Sequence, residues 1–248
     1  MQADLKTFSS LGVHGLTAVT CVVAETPRVV ADIHAVPHPV LQEQVRLLLA
    51  SYSVAAIKTG MLFSAAHVVA VAELLEQARL PLVVDPVMVA SSGQALLDDG
   101  AISIYLNRLL PICTVMTPNL PEAQALLGCK DLTPESATRQ LADRFETSVF
   151  LTGGHHARHG KSVDLLYCDG ELHAFEGDWI ETPSSHGTGC TLSAALTAGL
   201  AKGLSLPEAA RAAKDFVTGA LRNALHWPAK DGQEDLIALN QCPPQAGP

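Results

Sequence analysis

Aromatic residues are scarce in this 248-residue chain, at 4%, and charged residues reach only 17%, while 48% of positions are hydrophobic. So few rings exclude a core or interface built on stacking and leave an interior of Ala, Val and Leu. Excess positive charge is also missing, since 16 Lys and Arg stand against 25 Asp and Glu, a formal net charge of −9. A nucleic-acid partner would need a basic stripe, so that class is set aside. The cysteines (Cys21, Cys113, Cys129, Cys168, Cys190, Cys242) include no C-x-x-C pair and no Cys/His ligand spacing. A disulfide frame or structural zinc is thereby excluded, and reduced thiols of a cytoplasmic protein are expected. Hydrophobic runs of membrane-spanning length are absent because Ser, Thr, Lys58 and Asp85 interrupt them. The polar start Met1–Lys6 lacks the basic flank and apolar stretch of a secretion signal. Internal repeats and linker-like segments are lacking too. One domain over residues 1–226 is expected, with a polar tail, 227–248, that frays.

What is present is alternation of two periodicities. Residues 3–11 read as a short amphipathic helix stopped by Gly12. The β-branched run Val13–Ala24 suits a buried strand. Pro39–Ala50 has helical spacing, Val54–Lys58 is strand-like, and Ser64 stands where a helix to Gln77 needs a cap. Leu82–Asp85 is a buried strand, followed by a polar loop with Ser91-Ser92-Gly93 and a helix near 98–109. Thr114–Thr117 and Ser148–Leu151 are further strands, while Pro121 and Pro134 open helices at positions where proline is tolerated. Segments 162–168 and 171–181 flank Asp169-Gly170 as a hairpin. Helices near 188–202 and 207–225 close the domain. Such alternation predicts an α/β fold with a mostly parallel sheet covered by helices on both faces.

Ligands of such sheets gather beyond the carboxyl ends of the strands. Polar or Gly-rich tips fall there: Lys58-Thr59-Gly60-Met61, Asp85-Pro86-Val87-Met88, Thr117-Pro118-Asn119 and Thr152-Gly153-Gly154. The most telling stretch is His186-Gly187-Thr188-Gly189-Cys190-Thr191, running into an Ala-rich helix. A helix's first N–H groups have no internal partner and carry the positive end of its dipole. Glycines there let backbone approach a phosphate or developing oxyanion. Cys190 sits in the same turn, where that field would favour a thiolate. Glu122, one turn after Asn119, reads either as a holder of a Mg²⁺-bound water or as a first-turn acid complementing the dipole. His155, His156 and His159 lack helical spacing and a fourth ligand, and read as a solvated lid.

These stretches, in this order and preceded by Gln2-Ala3-Asp4-Leu5-Lys6-Thr7-Phe8, resemble the hydroxymethylpyrimidine/phosphomethylpyrimidine kinases of thiamin biosynthesis. The likeness runs from Gln2 to about Ala224 and includes Asp85-Pro86-Val87-Met88 and Pro118-Asn119-Leu120-Pro121-Glu122-Ala123. It implies a ribokinase-like three-layer αβα sandwich. It also implies phosphorylation of a hydroxymethylpyrimidine and its monophosphate by ATP with Mg²⁺, in a homodimer. By the same match, Gly187, Thr188, Gly189 and Cys190 would be the catalytic anion hole. Asp4, Glu25, Met61 and Val87 would line the pyrimidine pocket, and Asn119, Glu122, Thr152 and Gly154 the nucleotide side, Glu122 reaching Mg²⁺ through water.

Three departures from the family pattern carry expectations. The family's first strand and Gly/Ser-rich loop, which precede Gln-Ala-Asp-Leu, have no counterpart ahead of Gln2. A family Gln that would pair with the aminopyrimidine edge is Glu25, and an ionised carboxylate only accepts. This favours a protonated ring or another hydroxymethyl heterocycle such as pyridoxal. A family Lys is replaced by Thr152, and the basic residue expected ahead of Thr182 by Trp179 or Ile180. Less positive charge near the nucleotide is expected to weaken ATP binding or slow transfer, and a pyrimidine-binding relative of impaired activity is the third reading.

Overall fold

The computed structural model describes residues 1–26, 29–87, 99–153, 160–181, 187–228 and 235–242. Helix α1 (Gln2–Ser10) ends just before Gly12, which adopts φ +68°. Strands β1 (Cys21–Thr26) and β2 (Val29–Ala35) pair antiparallel as a ribbon of their own. Then come α2 (His38–Ser51), β3 (Ile57–Thr59), α3 (Ala65–Ala78) and β4 (Leu82–Val84). Helix α4 (Asp99–Ile104) continues through a π-turn at Tyr105–Leu109 into β5 (Val115–Met116) and α5 (Leu120–Leu127). The remaining elements are α6 (Pro134–Phe145), β6 (Ser148–Leu151), the hairpin β7 (Lys161–Cys168) and β8 (Glu171–Asp178), α7 (Thr188–Ala201), α8 (Leu206–Arg222), β9 (Leu225–Trp227) and β10 (Leu236–Ala238).

The central sheet runs in the order β3-β4-β5-β6-β7-β8, parallel from β3 to β6 and antiparallel beyond. Both faces are covered, which is why the central strands are apolar without alternation. On β4, Leu82 and Val84 face one core with Met116, Val149 and Leu151, packed under α2, α3, α5 and α6. Val83 points the other way, joining Val115, Phe150 and Leu166 beneath α7 and α8. This is the three-layer αβα arrangement that the alternation and the resemblance imply. No helix among the described residues is long and apolar enough to cross a membrane.

Two expectations are corrected. The run Val13–Ala24 is not a buried strand: residues 13–20 are irregular without strand pairing, Cys21–Thr26 joins the separate ribbon, and no residue from 13 to 26 is buried. A β-branched run reads alike in a central strand and in a ribbon, and only the pairing partner distinguishes them. Here β3 is the outer strand of the sheet. A cavity of about 2060 Å³ is lined by Leu16, Ala18 and Val19 as well as by Ala55 and Ile57.

The tail is the second correction. Strand β10 pairs with β9, Ile237, Leu239 and Gln241 are buried, and Gln241 Nε2 donates to Thr191 Oγ1 at 3.2 Å. A polar, Pro-containing composition gave no hint of that docking. A smaller difference concerns Ser64. It precedes α3 as expected but makes no side-chain cap bond, its Oγ lying 2.6 Å from His67 Nδ1 instead.

Candidate active site

The four parallel strands end at one edge of the sheet, and the tips beyond them lie side by side. Residues 119 and 152 form an isolated parallel bridge, joining the Asn119 tip to the Thr152 tip. The described candidate site residues Asp4, Glu25, Met61 and Val87 line the large cavity, as do Asn119, Glu122, Thr152, Gly187, Thr188, Gly189 and Cys190, whereas Pro86, Thr117, Pro118, Gly153 and Thr191 do not. Gly154, Met88, Ser91-Ser92-Gly93, His155, His156, His159 and His186 lie outside the described residues.

The turn at the head of α7 has the form that an anion site requires. Gly187 is the N-cap residue with φ +87° and ψ −2°, a conformation costly for any residue with a Cβ, and being glycine it brings no capping side chain of its own. Thr191 N–H is the first to close the ladder, onto Gly187 O at 2.9 Å. Gly189 serves differently. A Cβ added there would meet nothing within 4 Å, so its missing side chain leaves room for a ligand rather than relieving strain.

Cys190 departs from expectation. Burial pushes its thiol up to about 11, and Asp85 and Asp4 add to that, while Lys58 opposes it. Desolvation and two carboxylates outweigh the Lys58 ammonium and the Met1 amino group, so the group at the turn is a neutral thiol rather than a thiolate.

Behind the thiol stands a chain of charges that the motifs did not assemble. Lys58, whose side chain is 6% exposed, donates to Asp4 Oδ1 at 2.9 Å and lies 3.8 Å from Asp85 Oδ2. Ser193 Oγ is 2.9 Å from that same Asp85 oxygen. Burial works against the Lys58 charge, yet Cys190, Asp85 and Asp4 outweigh it and hold the ammonium above the usual lysine range. Asp85 is raised by its own burial, against the pull of Lys58 and Ser193. Lys58 and Asp85 stood in strand-end motifs without a role; their meeting needs β3, β4 and α1 to be adjacent, which no local pattern encodes.

A second buried pair also escaped the sequence. Lys214 of α8 meets Asp164 of β7 at 3.0 Å, with side chains 7% and 5% exposed. Asp164 Oδ1 in turn accepts the Gly153 N–H at 2.7 Å, tying the Thr152-Gly153 tip to β7.

A family model described as phosphomethylpyrimidine kinase matches residues 1–234. The chain belongs to this family. It is 43% identical over 225 residues to a hydroxymethylpyrimidine/phosphomethylpyrimidine kinase of Streptomyces coelicolor, covering 89% of this chain and 82% of that one. It is 41% identical to the thiamine biosynthesis bifunctional protein ThiED of Geobacter sulfurreducens over 90% of the chain, and spans 46% of that relative's length. Among solved structures, the pyridoxal kinase of Staphylococcus aureus in complex with AMP-PCP superposes with a TM-score of 0.85 at 34% identity, covering 99% of this chain and 89% of that one. The fold of this family member is ribokinase-like.

Glu122 serves this member of the phosphomethylpyrimidine kinase family first as a helix cap. Its carboxylate accepts Asn119 N–H at 2.9 Å while Asn119 Oδ1 accepts Glu122 N–H at 2.8 Å, a reciprocal capping box. Burial pushes its carboxyl up to about 8, helped by Asp85 and opposed by the Asn119 bond. A carboxyl raised from 4.5 to about 8 on folding stabilises the protein fully at low pH, and that contribution is lost as pH rises through this window. Glu122→Gln keeps the capping oxygen and removes the charge. In metal-free buffer it is expected to raise Tm by about 3 °C near pH 8 and to leave it unchanged near pH 4, checked by scanning calorimetry.

Proposed function

We propose that this chain transfers the γ-phosphoryl of ATP to the hydroxymethyl oxygen of 4-amino-5-hydroxymethyl-2-methylpyrimidine, and then phosphorylates the monophosphate. The observation that supports this reading is the head of α7, where a left-handed Gly187 is the N-cap and Gly187–Cys190 line the cavity. Phosphoryl transfer depends on positioning and charge neutralisation more than on strong base chemistry. The amides of Gly187–Cys190 would take the charge gathering on the moving phosphoryl, with the Cys190 thiol beside the accepting oxygen.

In this reading Asp4, Glu25, Met61 and Val87 face the pyrimidine. Asn119, Thr152 and Gly154 face the nucleotide. Among the described residues no three His, Cys, Asp or Glu side chains gather into a cage, whereas a single buried carboxylate repelled by a neighbour is an apt partner for a hydrated cation. That donor set fits Mg²⁺, which keeps several waters and takes one or two carboxylates plus phosphates. Glu122 would hold it through water. When bound, Mg²⁺ supplies neutralisation of the polyphosphate charge. A cytoplasmic homodimer completes the reading, with the exposed Val22 and Val29 of the ribbon as apolar surface for the second copy.

Pyridoxal is the second acceptor to test. It is favoured by Glu25, exposed on β1 at the irregularity between Ala24 and Glu25, where an acceptor-only side chain would suit a protonated ring. A panel of hydroxymethylpyrimidine, its monophosphate and pyridoxal with Mg·ATP, scored for ADP and phosphorylated product, decides between them. The pyrimidine is expected to lead in kcat/KM by about tenfold, a difference of about 1.4 kcal/mol, and Glu25→Gln to widen that lead severalfold. A lead for pyridoxal in the parent protein rejects the pyrimidine reading.

A further inference from the structure

The geometry points to Lys58 as a positioning residue that joins the two halves of the site, setting Asp4 on the acceptor side and the Cys190 thiol on the phosphoryl side against a single fixed cation. The inference rests on the kinase reading only for its turnover arm. Four elements converge on this ammonium. Asp4 comes from α1, Lys58 from the carboxyl end of β3, Asp85 from the end of β4, and Ser193 from α7, one turn beyond Cys190. The links are 2.9 Å from Lys58 Nζ to Asp4, 3.8 Å to Asp85, and 2.9 Å from Asp85 to Ser193 Oγ. Ser193 Oγ also lies 2.9 Å from Gly189 O and 3.2 Å from Cys190 O, so the network ends on the anion-binding turn itself.

Removing the cation leaves two carboxylates facing each other across a cavity that must admit a polyphosphate. The charged or titratable groups facing the Cys190 thiol are Lys58, Asp85, Asp4 and the Met1 amino group, which lies 3.3 Å from the second Asp4 oxygen. Lys58 is the buried cation among them. A merely structural ion pair would hold α1 against the sheet and leave the thiol's chemistry unchanged. A positioning cation governs that chemistry, and the two roles therefore separate in experiment.

The test follows iodoacetamide alkylation of Cys190 by peptide mass spectrometry across pH, on the full chain, for the parent, Lys58→Met and Asp4→Asn. Lys58→Met is expected to raise the pH midpoint of alkylation by about 1 unit or more, and Asp4→Asn to lower it. Turnover with Mg·ATP and the pyrimidine is expected to fall about 100-fold in kcat for Lys58→Met, with KM for ATP changed less than about threefold. Lys58→Arg is expected to regain most of that loss, since it restores the charge if not the shape. Midpoints that coincide in all variants overturn the inference, as does a Lys58→Met loss confined to KM. Should Lys58→Met fail to fold, an unmoved midpoint in Asp4→Asn overturns it alone. Separated midpoints in a chain that phosphorylates neither pyrimidine nor pyridoxal uphold Lys58 and reject the substrate reading instead.

Discussion

Cys190→Ala is expected to lower kcat by about 10²–10³-fold while KM for ATP stays within about threefold, as steady-state kinetics would record. The reason is a division of labour within one turn. In the proposed reaction the terminal phosphates would be bound by backbone amides of Gly187–Cys190, which the substitution leaves in place because α7 is helical from Thr188 and alanine is a good helix former. The accepting oxygen would, by contrast, lose the thiol proton proposed beside it. With the thiol pushed up to about 11, Cys190 would serve the proposed reaction as a neutral donor rather than as a standing anion. Cys190→Ser, which keeps a proton on a smaller atom, is therefore expected to recover at least about tenfold of the loss. Equal turnover in Cys190→Ala and the parent would remove the residue from the chemistry.

Lys214→Met is expected to cost about 3–5 kcal/mol of stability, because it strands Asp164 as an uncompensated charge in the interior. At a few degrees per kcal/mol for a chain of this size, Tm should fall by roughly 10 °C. Lys214 also holds Ser162 Oγ at 2.9 Å, and Asp164 holds Gly153 N–H at 2.7 Å, so the damage spreads to the Thr152-Gly153 tip. That tip has no slack. A Cβ on Gly153 would stand 1.8 Å from Val163 O, which fixes the backbone against β7. Pairing Lys214→Met with Asp164→Asn keeps an acceptor for Gly153 and removes the stranded charge. The double variant is expected to regain most of the lost Tm. A double variant as unstable as the single one would show that packing of the lysine stem, not its charge, carries the effect.

Much of the fold was legible because its signals are local. Leu82-Val83-Val84 had to be a doubly covered strand, since an uninterrupted apolar triplet ended by Asp85 and Pro86 fits little else. Pro121 announced a helix start, and the structure adds a capping box of Asn119 with Glu122. The sequence left open whether Glu122 was a first-turn acid complementing the dipole or a holder of a Mg²⁺-bound water, because both uses ask for an acid in the same turn. Strand-end positions found the cavity lining for the same reason, as the parallel sheet delivers those tips to one edge whatever the loops do.

The illegible parts share a physical cause: each depends on a partner far away in the chain. Val13–Ala24 has the composition of a strand, but composition does not name the neighbour, and the pairing of Cys21–Thr26 with Val29–Ala35 placed it outside the central sheet. The field of α7 was correctly located, yet its effect on Cys190 was reversed by Asp4 and Asp85, which only folding brings near.

By itself the sequence determined most of the helices, the strands Leu82–Val84, Val115–Met116 and Ser148–Leu151, and that helices cover both faces of a largely parallel sheet. Periodicity, glycine placement and capping chemistry are properties of a few adjacent residues, so they survive without a fold. Only the tertiary structure decided the charge state at Cys190, the ion-paired role of Lys58 and the return of the tail onto Thr191. Those outcomes follow from burial and from charges meeting across the chain, quantities that do not exist until distant segments share the same interior.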